Sequence, residues 1–204
     1  MDALFATFVI ALILIAYIVL KCYKENGIVR NAPVKTMIVL GSGGHTSEMI
    51  SLIRNLNSSQ FAPIVFVHAD TDTKSPIYLA ESSLDLIYSI RSIPRSREVG
   101  QSYFTSIFST LLALFQSLHL VLEESPSLLI LNGPGTCVPI ALSVALFRAL
   151  NILKCRIVFV ESFCRVERLS MSGKILYPIA DDFIVQWPHL TTKYPNSNYL
   201  GILL

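Results

Sequence analysis

From Thr36 onward, short unbroken apolar runs alternate with stretches whose apolar residues recur every three or four positions. TMIVL, residues 36–40, is the first run, and in SEMISLIRNL after it Met49, Ile50, Ile53 and Leu56 fall on one helical face. PIVFVHA, LDLIYSI, SLLILNG, CRIVFVES and DDFIVQW supply five further strands. Tyr103 to Leu122 is helical by its length, and VPIALSVALFRAL reads as another helix. Continuous Val/Ile/Leu runs separated by helices predict parallel strands covered on both faces. The expected fold class is therefore α/β, a Rossmann-like, doubly wound parallel sheet. In such sheets ligands bind at the carboxyl ends of the strands, so the residues after each run are the ones to read for chemistry.

The N-terminus breaks this pattern. Ala3 to Leu20 carries no charge, and its length falls within the roughly 17–25 residues that span a bilayer. No basic residue precedes it and no small-residue cleavage pattern follows, which argues against a removed secretory signal. Lys21, Lys24 and Arg30 flank its far side, so the positive-inside rule puts the bulk of the chain in the cytosol as a single-pass protein. The expected organisation is an anchor over residues 1–23, a linker over 24–35 and one domain over 36–204. Hydrophobic residues make up 52% of the 204 and charged residues 15%, below the roughly 25% usual for soluble domains, which fits contact with a membrane or a partner. A formal charge of +2 gives no case for nucleic acid. The four cysteines are spaced too widely for a zinc knuckle and suit reduced thiols. Gly100 to Leu122 is also uncharged, and two roles stay open for it: a helix packed on the sheet or one pressed against the bilayer.

The first strand ends in Gly41-Ser42-Gly43-Gly44-His45-Thr46. Glycines let the backbone turn sharply and approach a ligand, and the amides opening the next helix favour an anion such as a phosphate or diphosphate. No lysine follows, which excludes a P-loop. The third position of a dinucleotide fingerprint is Thr46, and Asp70 lies later than its ribose-binding acid, so NAD binding is the weaker alternative. His45 stands at the mouth of the turn, where an imidazole can donate to phosphate or act as a base near neutral pH. The fourth strand ends in a second such turn, Asn132-Gly133-Pro134-Gly135-Thr136. After the fifth strand come Glu161 and Ser162, with Arg165 and Arg168 behind, and three roles are open to Glu161: general base, acceptor for a sugar hydroxyl, or ion-pair partner of Arg165. Asp70-Thr71-Asp72 has the form of a metal-holding DxD, but Asp and Thr are also ordinary loop residues, and no metal site is expected.

The N-terminal span, VLGSGGHTSEM, NGPGTCVPIAL, VFVESFCRVERLSMSGKILYPIADDFIVQWPHL and the closing YLGILL, in this order, resemble the membrane-anchored subunit of the two-chain UDP-N-acetylglucosamine transferase of the dolichol (N-glycosylation) pathway. The resemblance implies the acceptor half of a GT-B glycosyltransferase, similar to the N-terminal domain of the bacterial peptidoglycan N-acetylglucosaminyltransferase. It implies a chain inactive alone, paired with a soluble catalytic subunit that binds most of the donor, UDP-GlcNAc. The complex would sit at the endoplasmic reticulum membrane facing the cytosol, and add the second GlcNAc, β1,4-linked, to dolichol-diphosphate-GlcNAc by an inverting reaction. No cofactor is implied. On this resemblance Gly41, Ser42, Gly43, Gly44, His45 and Thr46 hold the acceptor diphosphate, joined by Asn132, Gly133, Gly135, Thr136 and Arg165. His45 is the expected base, with Glu161 in reserve. The apolar end, Tyr199, Leu200, Ile202, Leu203 and Leu204, suggests burial in the domain's own core or against another chain, and the resemblance implies the partner. A membrane scaffold without a catalytic residue and a nucleotide-dependent oxidoreductase are the alternatives.

Overall fold

The computed structural model describes residues 33–96 and 103–203. The expected anchor, the linker as far as residue 32, and Leu204 lie outside the described residues. Seven strands, β1 (Thr36–Val39), β2 (Ile64–Ala69), β3 (Tyr88–Ile93), β4 (Leu128–Leu131), β5 (Arg156–Val160), β6 (Asp182–Val185) and β7 (Asn198–Tyr199), form one sheet in the order β3-β2-β1-β4-β5-β6-β7. Every pairing is parallel. Among the described residues six helices connect them: α1 (Gly44–Ile53), α2 (Lys74–Glu81), α3 (Tyr103–Glu124), α4 (Cys137–Ala149), α5 (Met171–Leu176) and α6 (His189–Lys193). Thr36 of β1 is in register with both Ile64 of β2 and Leu128 of β4. The strand order reverses between β1 and β4, which is the topological switch point of a doubly wound sheet.

The period-two alternation of a strand explains the two cores. Met37 and Val39 point to one face with Leu129, Leu131, Ile157 and Phe159, and pack under α3 and α4. Ile38 and Leu40 point to the other with Ile64 and Phe66, and pack under Met49 and Ile53 of α1 and Leu79 of α2. Beyond the switch point the first core continues through Phe159 and Phe183, whose rings stack at 4.8 Å. Helix α3 buries Ala113, Leu120 and Val121 but leaves Phe108, Leu111, Leu112 and Phe115 exposed at helical spacing. Among the described residues no helix is long and apolar enough to cross a membrane.

Three local features depart from the sequence pattern. β3 begins at Tyr88 rather than Leu84, because Leu84 and Leu86 pack against the α1/α2 core as irregular chain after α2. Helix α2 carries Pro76 in its first turn, where no backbone N–H is needed, and a polar composition hides its periodicity. β7 is two exposed residues added to the edge of the sheet beside β6.

The far end of α4 is fastened to the start of β6 by an ion pair away from the crevice. Arg148 donates from Nη1 to Asp181 Oδ2 (2.7 Å) and from Nη2 to Oδ1 (2.9 Å). Asp181 Oδ2 also accepts the Ile157 amide at 2.7 Å, and the Arg148 side chain is 3% exposed. Removing one member of such a pair strands a buried charge. Asp181→Ala is therefore expected to destabilise the chain by about 3–5 kcal/mol, measured by denaturant unfolding of the detergent-solubilised protein.

Candidate functional site

The carboxyl ends of β1 and β4 meet through their glycine turns. A Cβ on Gly41 would lie 2.6 Å from Pro134 Cβ and 2.9 Å from His45 Cβ, so only glycine lets the two turns touch. Gly133 has φ +67, and a Cβ there would lie 3.0 Å from His45 Cε1. Beneath the first turn, buried Thr46 donates its hydroxyl proton to the Gly41 carbonyl, and its Oγ1 lies 2.6 Å from Ser75 Oγ. Above it the space is open: nothing lies within 4 Å of where a Cβ on Gly43, Gly44 or Gly135 would stand.

The helices that start at these turns are left uncapped. Gly43 (φ 66, ψ −125) precedes α1 and Thr136 precedes α4, and neither supplies a side-chain cap. Helices α2 and α5, by contrast, have side-chain partners at their starts. Ser170 Oγ accepts the Gly173 amide of α5 at 2.9 Å, and Asp72 Oδ1 accepts the amides of Lys74 (3.2 Å) and Ser75 (3.1 Å) at the start of α2. At α4 the Cys137 and Val138 amides already donate to the Pro134 and Gly135 carbonyls (3.0 and 3.2 Å), whereas the Gly44 and His45 amides at the start of α1 have no hydrogen-bond partner among the described residues and, at the positive end of the helix dipole, suit an anion.

His45 lies between the turns. Its Nδ1 is 2.9 Å from Asn132 Oδ1 and 3.7 Å from Glu48 Oε2. Both neighbours are oxygen acceptors, so the proton of the neutral ring sits on Nδ1 and Nε2 keeps its lone pair. The Glu48 carboxylate beside it raises the imidazole above its ordinary pKa; burial opposes this, and the Asn132 hydrogen bond adds to it. Burial alone would raise the Glu48 carboxyl, but the neighbouring imidazole and the Ser162 hydrogen bond outweigh it and hold Glu48 below the usual carboxylate value. Ser162 Oγ donates to Glu48 Oε1 at 2.8 Å. The result is a histidine whose orientation and tautomer are set by an ionised partner, which is the arrangement a general base needs.

Glu161 is fully buried and committed inward. Its Oε1 accepts the Ser162 amide at 3.1 Å, and its Oε2 accepts the Ser170 amide (2.8 Å) and Ser170 hydroxyl (3.1 Å). Burial raises its carboxyl, partly offset by those hydrogen bonds. Of the three roles open to Glu161, the ion pair is not formed: among the described residues it makes no salt bridge, and Arg165 is exposed on the loop after β5. The structure thus gathers Gly41, Ser42, Gly43, Gly44, His45, Thr46, Asn132, Gly133, Gly135 and Thr136 around the two turns and leaves Arg165 on a separate loop. Of the two aspartates, Asp70 is exposed, whereas Asp72 is 5% exposed and occupied by α2 and by the Ser75 hydroxyl (2.6 Å). Among the described residues no three His, Cys, Asp or Glu side chains are grouped to hold a metal. At the C-terminus Tyr199, Leu200 and Ile202 are exposed, while the Leu203 amide donates to buried Gln186 Oε1 at 3.0 Å. Sequence reasoning missed Glu48, although its place three residues after His45 puts both on one helical face. It gave no role to Ser162, whose contact with Glu48 spans 114 residues.

A doubly wound parallel sheet with two glycine turns meeting at its switch point is a Rossmann-like domain. Two solved structures share the fold: Acinetobacter baumannii MurG (TM-score 0.56, 14% identity, 76% of this chain and 42% of that one) and a putative UDP-N-acetylglucosamine 2-epimerase from Listeria monocytogenes (TM-score 0.53, 16% identity, 77% and 40%). The chain spans less than half of either structure. The protein belongs to the Alg14 family, matching "Oligosaccharide biosynthesis protein Alg14 like" over residues 36–203. It is 48% identical over 175 residues to UDP-N-acetylglucosamine transferase subunit ALG14 of Homo sapiens, covering 81% of each. It is 39% identical over 175 residues to the Yarrowia lipolytica subunit of the same name, covering 83% of this chain and 81% of that one.

One glycine of α5 is as constrained as those of the turns. A Cβ on Gly173 would run into Glu161 Oε2 and stand 3.0 Å from Ser170 Oγ. Gly173→Ala must push apart a buried carboxylate and its cap, and is expected to cost about 1–3 kcal/mol, read as a lower thermal midpoint of the detergent-solubilised chain.

Proposed function

We propose that this protein is the membrane subunit of a two-chain UDP-N-acetylglucosamine transferase, and that its crevice holds the lipid-linked acceptor, GlcNAc-diphospho-dolichol. The observation that carries this reading is the oriented His45 between two open, uncapped glycine turns. The family and the fold shared with MurG support the class of reaction. The diphosphate lies on the amides that open α1, beside the start of α4. The acceptor sugar's 4-hydroxyl faces His45 Nε2, which takes its proton as the oxygen attacks the donor's anomeric carbon. The bond from that carbon to UDP breaks, the configuration inverts, and UDP leaves with the electron pair. UDP-GlcNAc is held mainly by the soluble catalytic subunit, and no cofactor takes part.

The same reading places the chain at the endoplasmic reticulum membrane, anchored by residues 1–23 with its domain in the cytosol. The exposed apolar stripe Phe108, Leu111, Leu112 and Phe115 on α3 supports a second contact with the bilayer. The exposed side chains of Tyr199, Leu200 and Ile202, continuous with edge strand β7, support docking of the catalytic subunit at the C-terminus.

Transfer by the assembled complex tests the role of His45. His45→Ala is expected to lower turnover by about 10²–10⁴-fold with the acceptor KM little changed. A base must be unprotonated, and the imidazole pKa is raised, so kcat should fall on the acid side through a pKa above 6.5. Glu48→Gln removes the group that raises it and should move that limb to lower pH. Full activity of His45→Ala would leave a scaffold, and NADH binding would favour the oxidoreductase. Removal of residues 201–204 should abolish co-immunoprecipitation of the catalytic subunit and transfer together, with the chain still in the membrane. Undiminished partner recovery would count against the tail as a docking element.

A further inference from the structure

Beside the first glycine turn, residues at the ends of β1, β2 and β4 line a partly open cavity of about 80 Å³. Its floor is apolar, from Leu40 and Ala69, and its polar lining comes from Ser42, Asp72, Arg95 and Thr136. Three observations point to what it takes. First, Arg95 enters it from the chain that follows β3, two residues beyond Ile93, which pairs with Ala69 at the end of β2. Among the described residues Arg95 forms no ion pair, and its Nε is buried with no hydrogen-bond partner. Among the described residues, then, this guanidinium has an unmet donor and no counter-charge. Second, Thr136 is 6% exposed and lines the cavity, and its hydroxyl makes no hydrogen bond among the described residues. Third, the acidic member of the lining is already occupied. Asp72 accepts from the Lys74 amide, the Ser75 amide and the Ser75 hydroxyl, and does not pair with Arg95. The donors left over, an arginine fork and two hydroxyls beside the uncapped start of α4, match the oxygens of a phosphate group.

We infer that this cavity binds one phosphate of the acceptor's diphosphate, with Arg95 as its counter-cation and Thr136 as a second donor; this rests on the acceptor-binding reading above. The volume suits one phosphate group. The second phosphate then lies over the open amides of the Gly43–Gly44 turn, between the cavity and His45. Neither residue takes part in proton transfer. They set how tightly the acceptor binds and where its sugar stops.

The experiment uses the full chain assembled with its catalytic subunit in membranes. Steady-state constants are measured for a short-chain GlcNAc-diphospho-polyprenol and for UDP-GlcNAc, with inorganic pyrophosphate as inhibitor. Arg95→Gln removes a charge-assisted bond and is expected to raise the acceptor KM roughly 10–100-fold, weaken pyrophosphate inhibition by a similar factor, and leave the UDP-GlcNAc KM unchanged. Thr136→Val should raise the acceptor KM about 2–10-fold. If Arg95→Gln is lost from the membrane, Arg95→Lys replaces it, with a several-fold rise expected from loss of the planar fork. A rise confined to the UDP-GlcNAc KM would assign the cavity to the donor's diphosphate and overturn the inference; unchanged constants would overturn it as well. Gly44→Val, which obstructs the turn but not the cavity, separates the two levels. If it raises the acceptor KM while the Arg95 variants do not, the inference fails and the acceptor-binding reading stands. If none of these variants changes the acceptor KM, the reading itself fails.

Discussion

Pro134 resting on Gly41 is the contact on which the site depends. The two residues belong to strands that are neighbours only because the chain reverses its winding between β1 and β4. Any side chain at position 41 would meet Pro134 at 2.6 Å and separate the turns. With glycine there, α1 and α4 begin side by side, and their positive ends act on the same small volume. His45 then fits over Gly133 and against Asn132, so the imidazole is placed by the second turn although it belongs to the first.

Much of the sheet was legible in the sequence because parallel strands buried on both faces cannot avoid continuous apolar runs. β3 was read four residues early because Leu84 and Leu86 are apolar for packing and not for pairing. The helices α5 and α6 span six and five residues, too few to display a helical period. The glycine turns were legible as well, since their chemistry lies in consecutive residues. What joins them was not. The His45 contact with Asn132 spans 87 residues, and that of Glu48 with Ser162 spans 114. Arg95 sits in a run of polar residues that reads as a loop, and only the folded chain turns it toward the end of β2. The DxD pattern was legible as letters, yet its second aspartate proves to be the cap of a helix that the sequence pattern hid.

The three acidic side chains near the crevice differ in what the fold asks of them. Asp72 replaces the missing partners of α2. Glu161 is sealed in the interior, where burial favours its neutral form and the Ser162 and Ser170 hydrogen bonds favour its charge. Glu48 keeps one oxygen on Ser162 and turns the other to His45, so it alone faces the imidazole. Residue type says little about which carboxylate is chemical, whereas the partners on each oxygen say a great deal.

Hydrogen bonds lead from α5 to Glu48, whose free oxygen stands 3.7 Å from the imidazole. Gly173 donates to Ser170, Ser170 donates to Glu161, Glu161 accepts the amide of Ser162, and Ser162 donates to Glu48, which faces His45. No link is a long flexible side chain reaching through solvent, and Gly173 presses on Glu161 so closely that not even a methyl group fits between them. Such a train has almost no slack. Met171, the first residue of α5, is 61% exposed at its outer end. The exposed end of α5 and the imidazole are thereby joined through the interior of the domain, by four successive hydrogen-bonded links and one ion-pair contact.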